Sequence, residues 1–405
     1  MKAVIMAAGS STRTYPLTLT RPKPLLTVAN KTILEHQLDA LRGLVDEVLL
    51  VVNYRWEQIQ QRFGDSSGGI ALRYVRQEDP LGTGHAVLQC AGLIDEPFLA
   101  MNGDDLYDPQ DLARLARAEQ AALVKHVEDP RLYGIYEVTE GNRAVRVVEK
   151  PTEIFSHLAN VGAYKFTPQV FEVLAKTERS VRGEIEIPSA IQTLADTGDF
   201  RVVEMAGYWL PIGYPWHLLD ANAFLLSSTL EQRIEGEVSP AAHLNGRVGI
   251  GPGTVVRSGV VIDGPVLVGA NCTIGPNCWI RSASTIGNNC RVGHAVEIKS
   301  SILMDGAYVS HLSYVGDSVI GEHANLGAGT ITANVRHDEK TIQSWVKGQV
   351  VDSGRTKFGA ILGDGVHTGI NTSIYPGRKL WPHTVTFPGE AVTKDITEPR
   401  RLPPR

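Results

Sequence analysis

Residues 244–298 read LNGRVGIGPGTVVRSGVVIDGPVLVGANCTIGPNCWIRSASTIGNNCRVGHAVEI, with aliphatic side chains at Leu244, Ile250, Val256, Ile262, Val268, Ile274, Ile280, Ile286, Val292 and Ile298. A step of six turns an α-helix through about 600° and scatters these positions around its axis, whereas an even step keeps them on one face of a strand. Helix is therefore excluded. Glycines follow many of the aliphatics (Gly251, Gly269, Gly275, Gly287, Gly293) and mark tight corners. A six-residue repeat of this kind builds a parallel β-helix in which three hexapeptides close one triangular coil. The spacing resumes, shifted in phase, at Ile320 and Leu326, and again at Leu362, Thr368, Ile374 and Leu380. Between them Asn334 to Lys357 is charged and without repeat, so it reads as a loop thrown out of the prism, and insertions of this length in a solenoid are commonly functional.

The first 230 residues follow a different rhythm. Apolar runs at Ala3 to Ala7, Glu47 to Val52, Ile70 to Val75 and Pro97 to Met101 alternate with amphipathic segments at Lys31 to Arg42, Glu57 to Phe63 and Gly84 to Leu93. Such alternation predicts a parallel, doubly wound α/β sheet, with ligands at the carboxyl ends of its strands. The expected organisation is an α/β domain over 1–220, a helical linker over 221–240, an all-β prism over 241–396 and a tail over 397–405.

Composition narrows the function. The 405 residues carry 39 basic and 44 acidic side chains, a net charge of -5, which argues against nucleic-acid binding because phosphate-backbone affinity needs Lys and Arg in excess. Four cysteines without a CxxC pair point to a reducing, cytoplasmic setting and away from disulfides or structural zinc. Cys272, Cys278 and Cys290 share one phase of the repeat, as small interior residues would. No run approaches the roughly 18 apolar residues of a membrane span, and the apolar start is too short for a signal peptide. The 40 glycines, about one residue in ten, fit phosphate-cradling loops in the first half and corners in the second.

The first apolar run leads into Ala7-Ala8-Gly9-Ser10-Ser11-Thr12-Arg13, followed by Pro16-Leu17-Thr18 and Arg21-Pro22-Lys23-Pro24. A glycine turn after a strand exposes backbone N–H groups to phosphate, and Arg13 and Lys23 would neutralise charge developing during phosphoryl transfer. The string resembles the signature of sugar-1-phosphate nucleotidylyltransferases, A-A-G-x-G-T-R, P-x-T and P-K-P, with Ser11 where that family usually has its second glycine. The resemblance continues through Gln77, Gly82-Thr83-Gly84, Asn102-Gly103-Asp104, Glu149-Lys150-Pro151 and Asn160-Val161-Gly162. It implies that Ala8, Gly9, Gln77, Gly82 and Thr83 bind the nucleotide and that Arg13 and Lys23 act on the triphosphate. It further implies that Asn102, Glu149 and Asn160 hold the sugar phosphate and that Asp104 carries Mg2+, an ion needing only one or two protein oxygens beside substrate phosphates. One departure stands out. Thymidylyl-type relatives carry W-x-D-x-G, where this chain reads Trp209-Leu210-Pro211-Ile212-Gly213, and proline has no side-chain oxygen. Acetylglucosamine uridylyl relatives use an asparagine slightly further on, which makes Asn222 the expected second metal ligand.

In the repeat, the residue after the aliphatic is Asp263, Arg281 and Lys299 at positions 18 apart. One coil is 18 residues, so the three stack about 4.8 Å per layer, and two cations in a column suit an anion. With His311, Tyr314, Asn325, Asn334 and Lys340, they resemble the acetyltransferase half of the bifunctional glucosamine-1-phosphate acetyltransferase/N-acetylglucosamine-1-phosphate uridylyltransferase family. The resemblance implies a left-handed β-helix, Arg281 and Lys299 on the phosphate, and His311 as base. An imidazole suits this task because an amine must lose a proton to attack a thioester near neutral pH. It also implies sugar-phosphate contacts from Tyr314, Asn325, Asn334 and Lys340, acetyl-CoA along Ala328 and Ala360, and a homotrimer. Asn334-Val335-Arg336-His337 departs from the bacterial N-Y-D-G. The expected function is acetyl transfer from acetyl-CoA to glucosamine-1-phosphate or galactosamine-1-phosphate, plus uridylyl or thymidylyl transfer from UTP or dTTP to a sugar-1-phosphate. Two alternatives stay open: a glucose-1-phosphate thymidylyl- or uridylyltransferase with a purely structural prism, and a non-catalytic regulatory subunit.

Overall fold

The computed structural model describes residues 1–198, 200–398 and 400, so most of the expected tail beyond Glu398 lies outside the described residues. The chain forms two compact units. The first comprises Met1–Ser10, Pro22–Leu25 and Ile33–Pro211, and the second Ser11–Arg21, Leu26–Thr32 and Ile212–Arg405.

A ten-stranded sheet carries the first unit. Within it β1 (Lys2–Met6) is flanked in parallel by β2 (Glu47–Val52) and β4 (Phe98–Asn102), with β3 (Ile70–Arg76) outside β2. Helices α1 (Ile33–Leu41), α2 (Trp56–Phe63) and α3 (Thr83–Leu88) follow the expected alternation. Alternation along β1 places Val4 in one buried cluster with Ala86 and Val87 of α3. Ala3 and Ile5 enter another with Leu34, Leu38 and Leu41 of α1, so both faces of the sheet are covered. The sheet is mixed rather than parallel throughout. The strand Leu158–Phe166 runs antiparallel between β4 and Ala121–His126.

In the second unit the strands cycle through three parallel sheets of eight, six and eight strands, the arrangement of a parallel β-helix. The period-six aliphatics from Ile250 to Ile298 are all buried in one continuous core, with Leu244 packed against it. Coils advance by 18 residues while Ile250 pairs with Val268 and Val268 with Ile286. The next two steps, Ile286 to Leu303 and Leu303 to Ile320, are 17, which accounts for the phase shift. The following step, Ile320 to Leu362, is 42, one coil lengthened by the insertion. Within that insertion Gln343–Val346 and Gln349–Asp352 form an antiparallel hairpin. The helix α4 (His217–Thr229) begins and ends earlier than the sequence suggests. Cys272, Cys278 and Cys290 are buried free thiols.

Ser11–Arg21 packs on the prism. Arg21 donates to Glu322 and Asp364, and Thr20 to Asp364. Burial opposes the Arg21 charge, yet these two carboxylates carry its pKa above the ordinary value. Among the described residues no helix is long and apolar enough to cross a membrane.

Candidate active sites

In the first unit, β1 and β4 end side by side, with Met6 opposite Asn102. The Gly103 N–H donates to Met6 O at 3.0 Å, and a Cβ on Gly103 would meet that oxygen at 2.7 Å, so only glycine lets the turn approach. The turn is clamped from below by buried Gln37, whose Nε2 donates to Asn102 O (2.7 Å) and Asp105 O (2.8 Å). Lys23, buried, donates to Asp104 at 2.6 Å. Asp104 keeps 39% of its side chain exposed, so a hard oxygen ligand faces solvent beside a cation. Among the described residues no cluster of three or more His, Cys, Asp or Glu could hold a metal, yet Mg2+ needs few protein oxygens, and Asp104 fits that demand.

Asp105, missed in the sequence, is buried and accepts from Asn102 Nδ2 and Tyr107 Oη. Burial, reinforced by the charge of Asp104 and opposed by Lys23, pushes its pKa up to about 7. Pro211 pairs in register with it on the strand Trp209–Pro211. Glu149 and Asn160 both line Gly134, since a Cβ there would lie 2.8 Å from Glu149 Oε2 and 3.5 Å from Asn160 Cβ. Asn160 is oriented by Tyr164 Oη (2.7 Å) and the Gly162 N–H (3.2 Å). Burial raises the Glu149 pKa against the pull of Lys150 and Arg182.

Gln77, only 3% exposed, follows β3 with its Nε2 3.2 Å from Gly82 O and 2.9 Å from His85 Nδ1. Gly82 has φ +101°, and a Cβ there would lie 2.6 Å from Ile185 O.

Arg13 belongs to the second unit, exposed, with its guanidinium 5.6 Å from the Tyr214 ring centre. Ser11 adopts φ 52°, a left-handed conformation that explains why glycine is usual there. Its carbonyl receives Thr14 and Thr18 hydroxyls.

Asn222 corrects an expectation. It is fully buried, its Oδ1 accepts from Ala29 N (3.0 Å) and Thr285 Oγ1 (2.7 Å), and its Nδ2 donates to Ala283 O (3.0 Å). Both oxygen lone pairs are spent, so Asn222 ties α4 to the prism and offers no metal ligand.

On the prism, Ile262, Ile280 and Ile298 pair coil over coil, which stacks Asp263, Arg281 and Lys299. Arg281 lies over the Trp279 ring at 4.5 Å and donates to Glu297 at 2.8 Å. The Trp279 indole donates to Asp263. Lys299 Nζ donates to Asp317 at 3.2 Å, and Asn334 Nδ2 reaches Asp317 (2.6 Å) and Tyr314 Oη (3.1 Å). Arg355, from the insertion, lies 3.7 Å from Asp317. Lys299 and Asn334 thus converge on one buried carboxylate, a residue with no periodic signal, and Asn334 links Tyr314 to it. A cavity of about 700 Å³ runs along this face past Asp263, Trp279, Glu297 and Tyr314. His311 ends the strand Tyr308–His311, exposed, before the left-handed corner at Leu312 (φ 49°). Its ring has no hydrogen-bond partner among the described residues. Asn325, exposed, stands one coil above Tyr308. Lys340 joins none of these contacts. Ala328 O accepts from Asn371 N, while Ala360 is buried with its N–H on Ser318 and its C=O on Val319.

Residues 2–228 match the nucleotidyl transferase family, and residues 262–386 match the GMPPB C-terminal domain. The "Bifunctional protein GlmU" of Methanococcus maripaludis is 39% identical over 98% of this chain and 96% of its own. A "Bifunctional sugar-1-phosphate nucleotidylyltransferase/acetyltransferase" of Sulfurisphaera tokodaii is 36% identical over 98% of each chain. The chain belongs to this bifunctional family. A "Glucose-1-phosphate thymidylyltransferase" of Streptomyces griseus is 34% identical over 80% of this chain and 93% of its own. Membership makes the enzyme a nucleotidyltransferase and acyltransferase at once, and it removes the regulatory-subunit alternative.

Proposed function

We propose that the prism acetylates an amino-sugar 1-phosphate from acetyl-CoA and that the first unit joins a sugar-1-phosphate to a uridylyl or thymidylyl group, releasing pyrophosphate. The convergence of Lys299 and Asn334 on buried Asp317, with Tyr314 joined to it through Asn334, carries the acetyl-transfer reading, because a scaffold has no use for a polar cluster on its face. Arg281 and Lys299 bind the sugar phosphate through N–H groups not used by Glu297 and Asp317. His311 accepts a proton from the sugar amine as nitrogen attacks the thioester carbonyl. The C–S bond then breaks, and the thiolate leaves to take a proton. The unpartnered imidazole suits a group that must meet substrate. Acetyl-CoA lies along Ala328, while Ala360 offers it no free backbone group.

In the first unit a sugar-1-phosphate oxygen attacks the α-phosphorus in line, and positioning with charge neutralisation supplies the catalysis. Lys23 holds phosphate oxygens, and Glu149 with Asn160 orients the sugar. Asp104 would hold Mg2+, which neutralises phosphate charge when bound.

The prism is read as left-handed, supported by left-handed residues at successive corners such as Asn271, Asn277, Asn289 and Ala295. A homotrimer is supported by exposed Val255, Trp279, Tyr308 and Ile331 on two prism faces. Four buried free thiols favour a cytoplasmic setting. The deciding experiment is His311→Ala. Thiol release with glucosamine-1-phosphate should fall at least about 1,000-fold, while pyrophosphate release with N-acetylglucosamine-1-phosphate stays within about twofold. A parallel fall in both activities refutes two separate sites. A panel of UTP and dTTP against glucose-1-phosphate and N-acetylglucosamine-1-phosphate settles the preferred pair.

A further inference from the structure

We propose that His85 is a positioning residue that fixes which edge of the Gln77 amide meets the nucleobase, restricting the nucleotidyl donor to bases with a ring N–H at that edge. The inference rests on the reading that Gln77 faces the base. Gln77 Nε2 has two hydrogens and two neighbours able to take them, Gly82 O at 3.2 Å and His85 Nδ1 at 2.9 Å. Among the described residues nothing donates to its Oε1. On the far side of the imidazole, Gln89 Nε2 lies 3.1 Å from His85 Nε2 and 3.3 Å from His85 O.

A neutral imidazole has one acceptor nitrogen, so it cannot receive both amides. One of them must present oxygen instead, and amide nitrogen and oxygen are distinguished by their partners. Turning Gln77 over would set its oxygen against the Gly82 carbonyl and strip a nearly buried NH2 group of both acceptors. Each such loss costs about 1–3 kcal/mol when water cannot substitute. Turning Gln89 over sacrifices one long contact at a half-buried residue that water can reach. Gln89 therefore yields. His85 Nε2–H donates to the Gln89 oxygen, His85 Nδ1 accepts from Gln77, and Gln77 Oε1 is left as an acceptor. An acceptor pairs with N3–H of uracil or thymine and with N1–H of guanine. It repels cytosine N3 and adenine N1, which present lone pairs.

The test uses the full-length enzyme and pyrophosphate release from UTP, dTTP and CTP with N-acetylglucosamine-1-phosphate and glucose-1-phosphate. The wild type should favour UTP over CTP at least about 100-fold in kcat/KM, because cytosine sets a lone pair against the Gln77 oxygen and leaves it unpaired. In His85→Ala that ratio should drop about tenfold, with KM for UTP rising and kcat nearly constant. A merely structural defect would lower UTP and CTP use alike and leave the ratio unchanged, which overturns the inference. Gln89→Glu is a second variant that does not depend on His85→Ala folding. Its carboxylate holds the proton on His85 Nε2, so the UTP preference should stand. A reduced preference there means Gln89 is the donor and the proposed orientation is wrong. A wild type that releases pyrophosphate from no nucleotide would instead overturn the underlying reading.

Discussion

Each unit pairs a lysine with an aspartate at its candidate site, and the two pairs are built differently. Lys23 meets Asp104 at 2.6 Å, and Lys299 meets Asp317 at 3.2 Å. Asp104 is 39% exposed, whereas Asp317 is 5% exposed and also holds Asn334 and faces Arg355. A half-exposed carboxylate re-partners at little cost, because solvent reaches it when the lysine turns away. A buried carboxylate with several donors cannot release them without stranding charge. Asp104 is thus suited to exchange its lysine for a metal, and Asp317 to hold Lys299 and Asn334 in place while substrate comes and goes.

The comparison breaks most directly at Asp104. Asp104→Ala should abolish magnesium-dependent pyrophosphate release, a loss on the order of 1,000-fold. Chemical denaturation should show a smaller loss of stability than Asp317→Ala does, because Asp104 is 39% exposed and buried Lys23 keeps the neighbouring charge of Asp105. Full activity would mean that another group carries the metal.

Asp317→Ala reverses the pattern. It leaves Lys299 and Arg355 without their shared anion, and breaking a buried pair costs about 3–5 kcal/mol. Acetyl transfer should drop roughly 100-fold as Lys299 and Asn334 lose their anchor. Denaturation of the purified variant measures the first effect and thiol release the second. A stability change under about 1 kcal/mol would erase the distinction between the pairs.

The asymmetry was only partly legible beforehand. Period-six aliphatics announce the prism because every coil repeats the same demand, an apolar residue facing inward. The two 17-residue coils blur that signal without removing it, since strand register tolerates a shortened corner. The cations Arg281 and Lys299 were visible where a corner lacks glycine. Their counter-charges Glu297 and Asp317 were not, because pairing across coils depends on side-chain reach rather than on position in the repeat. Ser11–Arg21 belongs to the prism unit, where Arg21 meets Glu322 and Asp364 more than 300 residues away, a contact no local pattern encodes. Asn222 failed as a ligand for the same reason. Its partners Ala29, Ala283 and Thr285 come from distant segments and consume the amide.

Asp105 sharpens the comparison within a single turn, because it adjoins Asp104 yet lies in the interior. Burial, helped by the Asp104 charge, lifts its folded-state pKa to about 7 from an ordinary value of 3.8. Between those values the folded chain keeps a proton that the unfolded chain has given up. The associated stability is fully present below pH 3.8, declines as pH rises, and is lost above pH 7. Asp105→Asn removes this titration. With divalent metal chelated, the variant should gain about 4 kcal/mol over the wild type at pH 8, and the gain should shrink toward zero as pH falls to about 4. Urea denaturation across that range measures the difference directly. A gap independent of pH would mean that Asp105 ionises as an ordinary surface carboxylate does, and the contrast with Asp104 across one peptide bond would disappear.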